Sequence, residues 1–229
     1  AELAGLVSSI GTSVEGFRVG DRVVATSMTG AFAERTRVAV GSVALIPDTV
    51  SFDTAATLSL AYGTSYHALK DRGALQPGET LLVLGAAGGV GLAAVEIGKA
   101  LGARVIAAAS SADKLAVCMA HGADSGINYA TEDLRGRLSD LTDGRGPDVV
   151  YDPVGGPYSE LAFRSIAWRG RFLVVGFAHG EIPRIALNLP LIKGASIVGV
   201  VWGEYIRREP ELYRADLDAL FALTGAGQL

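Results

Sequence analysis

Four glycines fall within seven residues, Gly85 to Gly91, where the apolar run Thr80 to Leu84 gives way to a helical pattern over Gly89 to Leu101. A bare backbone at such a junction suits an anion, because the peptide N–H groups at a helix start point at it and no Cβ stands in the way. Set against the dinucleotide fingerprint G-x-G-x-x-G, the run aligns as Ala86-Ala87-Gly88-Gly89-Val90-Gly91, with alanine at the first glycine position. Gly88 and Gly89 then let backbone amides approach a pyrophosphate, and Gly91 lets the helix pack close to the sheet. A tight turn of small residues is the competing reading. The strand before it, the amphipathic helix after it and a second strand about 20 residues on favour the nucleotide.

The end of that second strand reports which dinucleotide binds. An acidic residue there would accept from the ribose 2′-hydroxyl of NAD and repel a 2′-phosphate. Here the strand ends in "VIAAASSADK", with Ser110 and Ser111 at the expected place and Lys114 one turn on. Hydroxyls and an ammonium suit a phosphate, so the expected cofactor is NADPH. Asp113 is the opposing detail, explained if it lies in the first turn of the next helix, where a carboxylate is favourable. For Lys114 alone, a solvated helix residue is the competing reading.

Other chemistries lack their residues. No Gly-Lys-Ser/Thr follows the glycines, which excludes a P-loop, and Gly-x-Ser-x-Gly is absent. The single cysteine, Cys118, lies in the helical pattern "DKLAVCMAHGA" and reads as a buried thiol. His67, His121 and His179 are scattered, none at ligand spacing from Cys118 or a carboxylate pair. A four-cysteine zinc site is impossible and no metal site is expected.

Composition narrows the class. At 229 residues, 49% hydrophobic and 19% charged, the chain reads as a globular protein large enough for one domain and part of another. A net charge of −4 argues against a nucleic-acid partner and for a small diffusible one. The most apolar region, Leu81 to Ala109, is broken by Glu96, Lys99 and Arg104, so no membrane span is expected. One cysteine and no basic-then-apolar leader fit the cytoplasm, with a secreted protein lacking disulfides as the open alternative.

The elements that must position these residues follow from patterning. Residues 1–50 carry short β-branched runs cut by Gly16, Gly20, Gly30 and Gly41, with alternation over Arg35 to Val40, and predict small antiparallel strands. "IPDTVSFDTAATLSLAYGTSYHALKD" predicts helix, with Ser51 or Asp53 as cap. From residue 78 strand and helix alternate. Strands are expected at Thr80 to Leu84, Arg104 to Ala109, Ser125 to Asn128, Val149 to Asp152, Arg171 to Gly176 and Ser196 to Val200. Helices are expected at Gly89 to Leu101, Ala112 to His121, Thr131 to Leu141 and Tyr158 to Trp168. The fold class is α/β, a doubly wound parallel sheet. The apolar strand Ser196 to Val201 is the expected sheet edge and hence a dimer seam.

With "ELAGLVSSIGTSVEGFRVGDRVVA", "AYGTSYHAL", the glycine-rich segment, "VVYDPVGG" and "RGRFLVVGFAHGEIP" in view, the chain resembles the zinc-independent quinone oxidoreductases of the medium-chain dehydrogenase/reductase superfamily over nearly its whole length. The resemblance implies a partial GroES-like catalytic domain over 1–62, a Rossmann domain over 63–200, and a helical return toward the catalytic domain over 201–229. It also implies a cofactor in the cleft, a homodimer and a chain truncated at both ends, since some of the family's catalytic domain, with a "GVN" segment near the substrate, has no counterpart here. By the same resemblance Thr64 lies near the nicotinamide ribose, and Gly88, Gly89 and Val90 form the pyrophosphate loop. Lys114 and Tyr129 flank the adenosine 2′-phosphate, while Val154, Gly176, Phe177 and Ala178 line the nicotinamide side. Packing is the competing role for Tyr129 and Phe177, and a helix or turn hydroxyl for Thr64.

A nicotinamide supplies hydride, and without a metal to polarise a carbonyl the favoured acceptors are already conjugated: quinones, enones or 2-enoyl thioesters. Tyr62 is a candidate proton donor, with packing or water as the alternatives. The expected function is an NADPH-dependent, metal-independent reductase of quinones or other conjugated carbonyls. A 2-enoyl-CoA or enoyl-thioester reductase, with Arg169, Arg171, Arg207 or Arg208 meeting CoA phosphates, and a cofactor-binding dimer module without turnover are the alternatives.

Overall fold

Every residue of Thr80–Leu84 is buried, which a strand attains when helices cover both faces of its sheet. The computed structural model describes residues 1–229. In chain order its elements are β1 (Glu2–Leu6), β2 (Arg22–Thr26), β3 (Val43–Leu45), α1 (Phe52–Thr57), α2 (Gly63–Tyr66), β4 (Thr80–Leu84), α3 (Gly89–Ala100), β5 (Arg104–Ala109), α4 (Ala112–Ala120), β6 (Ser125–Asn128), α5 (Leu134–Leu141), β7 (Val149–Asp152), α6 (Pro157–Ser165), β8 (Arg171–Val174), α7 (Asn188–Lys193), β9 (Ser196–Gly199), α8 (Trp202–Arg208) and α9 (Pro210–Gly225). π-Helical stretches Leu58–Tyr62 and His67–Arg72 flank α2. The chain divides into two compact units, one of Ala1–Thr64 with Trp202–Leu229 and one of Ser65–Val201.

In the first unit β1, β2 and β3 form an antiparallel sheet in that order. Ser51 caps α1, its hydroxyl accepting the Thr54 N–H at 3.1 Å. Buried polar groups in this unit are paired side chain to side chain: Ser59 and Tyr213 hydroxyls at 2.9 Å, and the Tyr205 hydroxyl donating to Asp216 at 2.6 Å. Trp202 meets Tyr213 edge to face, with ring centroids 5.8 Å apart. The alternating stretch Arg35 to Val40 forms no strand. Alternation makes a strand only where a neighbouring backbone can accept its ladder, and this stretch pairs with none.

The second unit is a six-stranded parallel sheet in the order β6-β5-β4-β7-β8-β9. The chain winds outward from β4 through β5 to β6, then returns to the other side of β4 and winds through β7, β8 and β9. That reversal places a topological switch point between β4 and β7. Registers such as Leu82↔Ile106 and Leu82↔Val150 bring apolar rows side by side. One core cluster joins Leu82, Leu84, Ile106, Ile127 and Val150 to Phe163 of α6 and Phe172 of β8. Those two rings meet edge to face with centroids 5.6 Å apart, a geometry that adds roughly 0.5–1.5 kcal/mol to their burial.

Helix α5 begins later than its pattern predicts, because the Asp133 side chain accepts the N–H groups of Arg135 and Gly136 and starts the helix there. Helix α6 begins at Pro157, whose fixed φ suits a first turn, and stops at Ser165 because Ile166 is extended.

At the amino-terminal ends of the strands a charged network ties the sheet together. Arg171 donates to both Glu79 carboxyl oxygens, at 2.8 and 2.6 Å, and to the Gly73 carbonyl at 2.8 Å. Arg145 grips both oxygens of Asp148, which also accepts the Thr80 N–H at 2.8 Å. Burial raises the Glu79 carboxyl, but the Arg171 hydrogen bonds and the Gln76 N–H outweigh it, and the net pKa is lowered from 4.5. Such a group stabilises the fold above its unfolded pKa, and that stability is lost as pH falls through the folded value. Glu79→Gln is therefore expected to destabilise the protein by about 1–2 kcal/mol at pH 7. Urea unfolding of variant and wild type should converge as pH falls below 4.5; a gap unchanged with pH would mean that the charge of Glu79 contributes nothing.

Candidate dinucleotide site

Helix α3 starts without a side-chain cap. Its N-cap is Gly88, extended at φ −79° and ψ 164°, so the N–H groups of the first turn are left for a ligand. The turn into it is made at Gly85, which has φ +59° and stands where β4 ends. Ala86 is a buried residue whose N–H bonds the Ala108 carbonyl at 3.0 Å, and the glycine that makes the turn is one residue earlier. A Cβ on Gly91 would run into the carbonyl oxygen of Gly85, so α3 can approach the strand end only with glycine there. Gly89 has nothing within 4 Å of where its Cβ would be.

An open cavity of about 390 Å³ lies over this turn, lined by Gly85, Ala87, Gly88, Gly89, Val90, Ala109, Lys114, Tyr129, Pro153, Val154 and Ala178. Its walls are the residues that follow β4, β5, β6, β7 and β8, all at their carboxyl ends. Beyond β5 and β6 the polar groups gather: Lys114 Nζ donates to Ser110 Oγ at 2.9 Å, and Tyr129 shares a hydrogen bond with Ser110. Burial pushes the Tyr129 phenol above its ordinary pKa and Tyr158 adds to this, outweighing the Ser110 bond; it is a neutral donor at pH 7. Its ring lies 4.3 Å from that of Tyr158.

Ser111 is used differently. Its hydroxyl accepts the Lys114 N–H at 3.3 Å and caps α4. Asp113 lies exposed in the first turn of that helix. Ser110 and Ser111 thus diverge, one facing the Lys114 and Tyr129 groups and the other closing a helix end.

On the opposite side of the switch point, Val154 lines the cavity and packs against the glycine turn so closely that a Cβ on Gly85 would fall 2.6 Å from its Cγ2. The Ala178 N–H donates to the Pro153 carbonyl at 3.1 Å and the His179 N–H to the Val154 carbonyl at 2.9 Å, which seats the segment after β8 on the one after β7. Gly176 packs against Pro153, and Phe177 is 41% exposed. Tyr62 and Thr64 are half-buried and belong to the first unit.

None of the arginines named as contacts for CoA phosphates lines the cavity. Arg171 is held by Glu79 at the amino-terminal ends of the strands, the far edge of the sheet from the cavity. Arg169 lies in the turn just before it. Arg207 and Arg208 both pair with Glu204, whose carboxyl their hydrogen bonds lower to about 2. What sequence reasoning missed is Asp152, fully enclosed behind Val154; its signal was an aspartate closing an otherwise apolar strand.

The residues present fit a dinucleotide phosphate. An uncapped helix start, a glycine-lined approach, the Lys114 ammonium and the Tyr129 hydroxyl meet in one cavity, with the Ser110 hydroxyl bonded to Lys114 beside it, and no carboxylate lines it. No helix is long and apolar enough to cross a membrane.

Comparison with known proteins agrees with this geometry. The family model described as zinc-binding dehydrogenase matches residues 89–221. A quinone oxidoreductase-like protein 2 homolog of Nematostella vectensis is 38% identical over 230 aligned positions, covering 100% of this chain and 63% of that protein. The chain thus spans less than two thirds of that relative. The quinone oxidoreductase of Pseudomonas aeruginosa is 37% identical, with 100% of this chain and 71% of that protein covered. The crystal structure of Escherichia coli quinone oxidoreductase complexed with NADPH superimposes with a TM-score of 0.92 at 33% identity, over 100% of this chain and 70% of that one. With its parallel Rossmann sheet, its smaller β-rich unit and its glycine turn at the switch point, the chain belongs to the zinc-independent quinone oxidoreductases of the medium-chain dehydrogenase/reductase superfamily.

Proposed function

We propose that the protein is an NADPH-dependent oxidoreductase that reduces quinones or other conjugated carbonyls without a metal, and that residues 63–200 are its cofactor domain. The observation that carries this reading is one cavity with an uncapped glycine-lined helix start on one side and Lys114 and Tyr129 on the other, Lys114 being hydrogen-bonded to Ser110. Bound NADPH supplies a hydride equivalent from its nicotinamide. The backbone at Gly88, Gly89 and Val90 receives the pyrophosphate, with the partial positive end of α3 behind it. Lys114, Ser110 and the Tyr129 phenol receive the 2′-phosphate, and Ser111 contributes by holding α4 at the angle that presents Lys114. Val154, Gly176, Phe177 and Ala178 form the apolar wall against the nicotinamide and keep water from the transfer. By the family resemblance Thr64 is the ribose contact, and Tyr62 is the candidate donor of the proton that completes reduction.

The remaining assignments rest on the same reading. The unpaired edge of β9, where Ile197 is 42% exposed and the following Val201 64%, suits pairing with a second copy into a homodimer. The lone free thiol, buried Cys118, suits the cytoplasm.

Three measurements test this. NADPH should be oxidised faster than NADH by the protein with a benzoquinone as acceptor, and a chelator should leave the rate unchanged; absence of turnover with either a quinone or a short enoyl-CoA would reject the activity. Lys114→Ala should weaken NADPH by about tenfold while NADH changes less, measured by fluorescence titration; equal losses would remove Lys114 from the phosphate site. Gly89→Val should keep the wild-type Tm, since its Cβ meets open space, yet abolish cofactor binding. Unaltered affinity in that variant would displace the pyrophosphate from the loop.

A further inference from the structure

Asp152 closes β7 with its side chain inside the protein, at 2% exposure. A carboxyl group is costly to bury unless its oxygens are satisfied, and here three donors converge on it. Oδ1 accepts the N–H of Val154 at 2.8 Å and that of Gly155 at 2.9 Å, and Oδ2 accepts the Ser159 hydroxyl at 2.5 Å. Its own carbonyl accepts the N–H of Val175 at 2.9 Å and that of Gly176 at 3.3 Å. One residue therefore binds the turn after β7, the first turn of α6 and the chain leaving β8.

The places it binds are the cavity wall. Val154 is the wall on this side of the switch point, and the segment from Gly176 to His179 is seated on Pro153 and Val154 through backbone bonds. Ser159, the third donor, follows Tyr158 on α6, and Tyr158 packs against Tyr129 at the other end of the cavity. The carboxyl itself lines no part of the cavity, so its effect on a ligand passes through the residues it holds.

We propose that Asp152 is a positioning residue, whose side chain sets the nicotinamide-side wall at the height that lets the nicotinamide and the adenosine phosphate of one cofactor be bound together. The proposal deepens the NADPH reading and rests on it. The turn Pro153 to Gly156 contains two glycines in left-handed backbone, Gly155 and Gly156, and has no strand neighbour; the carboxyl is what gives the Val154 and Gly155 N–H groups a fixed partner, while that of Gly156 bonds the Glu181 carbonyl at 3.0 Å. The phosphate side keeps its own hydrogen bonds without that partner, because Gly88, Lys114 and Ser110 make none of theirs to the turn; it meets this wall only through packing, of Val154 on Gly85 and of Tyr158 on Tyr129.

Two probes separate a positioning effect from general damage. NADPH spans both ends of the cavity, whereas adenosine 2′,5′-bisphosphate reaches only the phosphate and adenosine side. In the intact protein, Asp152→Ala should weaken NADPH at least tenfold and leave the bisphosphate within about twofold, by calorimetric titration. Asp152→Asn keeps an oxygen for the Val154 and Gly155 N–H groups and an amide that Ser159 can accept from, so it should restore NADPH binding to within about threefold. Ser159→Ala, which removes one donor of the three, should fall between them and decides the matter if Asp152→Ala does not fold. Parallel loss of both probes, or no loss of NADPH in a folded Asp152→Ala or Ser159→Ala, would overturn the positioning role while leaving the cofactor reading in place. Failure of the wild-type protein to bind either probe would instead remove the cofactor reading, and this proposal with it.

Discussion

Between β4 and β7 the chain must leave two neighbouring strands in opposite directions, and the crevice this opens at their carboxyl ends is the constraint on which the rest of the second unit depends. The two departing turns have to pass each other at close quarters. Gly85 turns one of them left-handed with no side chain, and Val154 of the other fills the space that a Cβ there would need. Gly91 then allows α3 to start hard against the strand end, so that its uncapped first turn faces the crevice rather than solvent. Phosphate recognition and the packing of the sheet are in this sense one arrangement of backbone.

Charge is divided along the strand axis. At the amino-terminal edge, Arg171 with Glu79 and Arg145 with Asp148 are bidentate pairs that satisfy each other and nearby backbone. At the carboxyl edge, the cation Lys114 is hydrogen-bonded to a hydroxyl in Ser110, and the buried acid Asp152 is consumed by three donors inside the wall. The edge that holds the fold together is therefore saturated, whereas the edge that faces a ligand retains donors. A polyanion is drawn to the second and finds no partner at the first.

Much of the architecture was legible because parallel strands buried on both faces read as continuous apolar runs. Thr80 to Leu84, Arg104 to Ala109 and Val149 to Asp152 are such runs, and each has the bounds its pattern implies, as does the less buried edge strand Ser125 to Asn128. Helix ends were less legible, since they depend on which side chain captures the first free N–H: Asp133 starts α5 three residues after the pattern begins. Arg35 to Val40 has the alternation of a strand and no partner to make it one. Ser110 and Ser111 are adjacent and chemically identical, and only the direction of α4 sends one hydroxyl to Lys114 Nζ and the other to a cap.

The sequence by itself determined the α/β class, the glycine turn where the first strand becomes a helix, and the absence of an acid at the end of the second, because these depend on residue type and spacing over a few neighbours. Tertiary structure alone decided that Val154 packs into the space beside Gly85, that Arg171 is spent on Glu79, and that Asp152 is a buried anchor instead of a solvated charge. The first two outcomes depend on a partner far away in the chain, Val154 for Gly85 and Glu79 for Arg171; the donors of Asp152 are its near neighbours Val154, Gly155 and Ser159, and what the sheet decides is that its side chain faces inward. Local pattern shows that a group must be satisfied, but the identity of the group that satisfies it is fixed only when the sheet brings distant strand ends together.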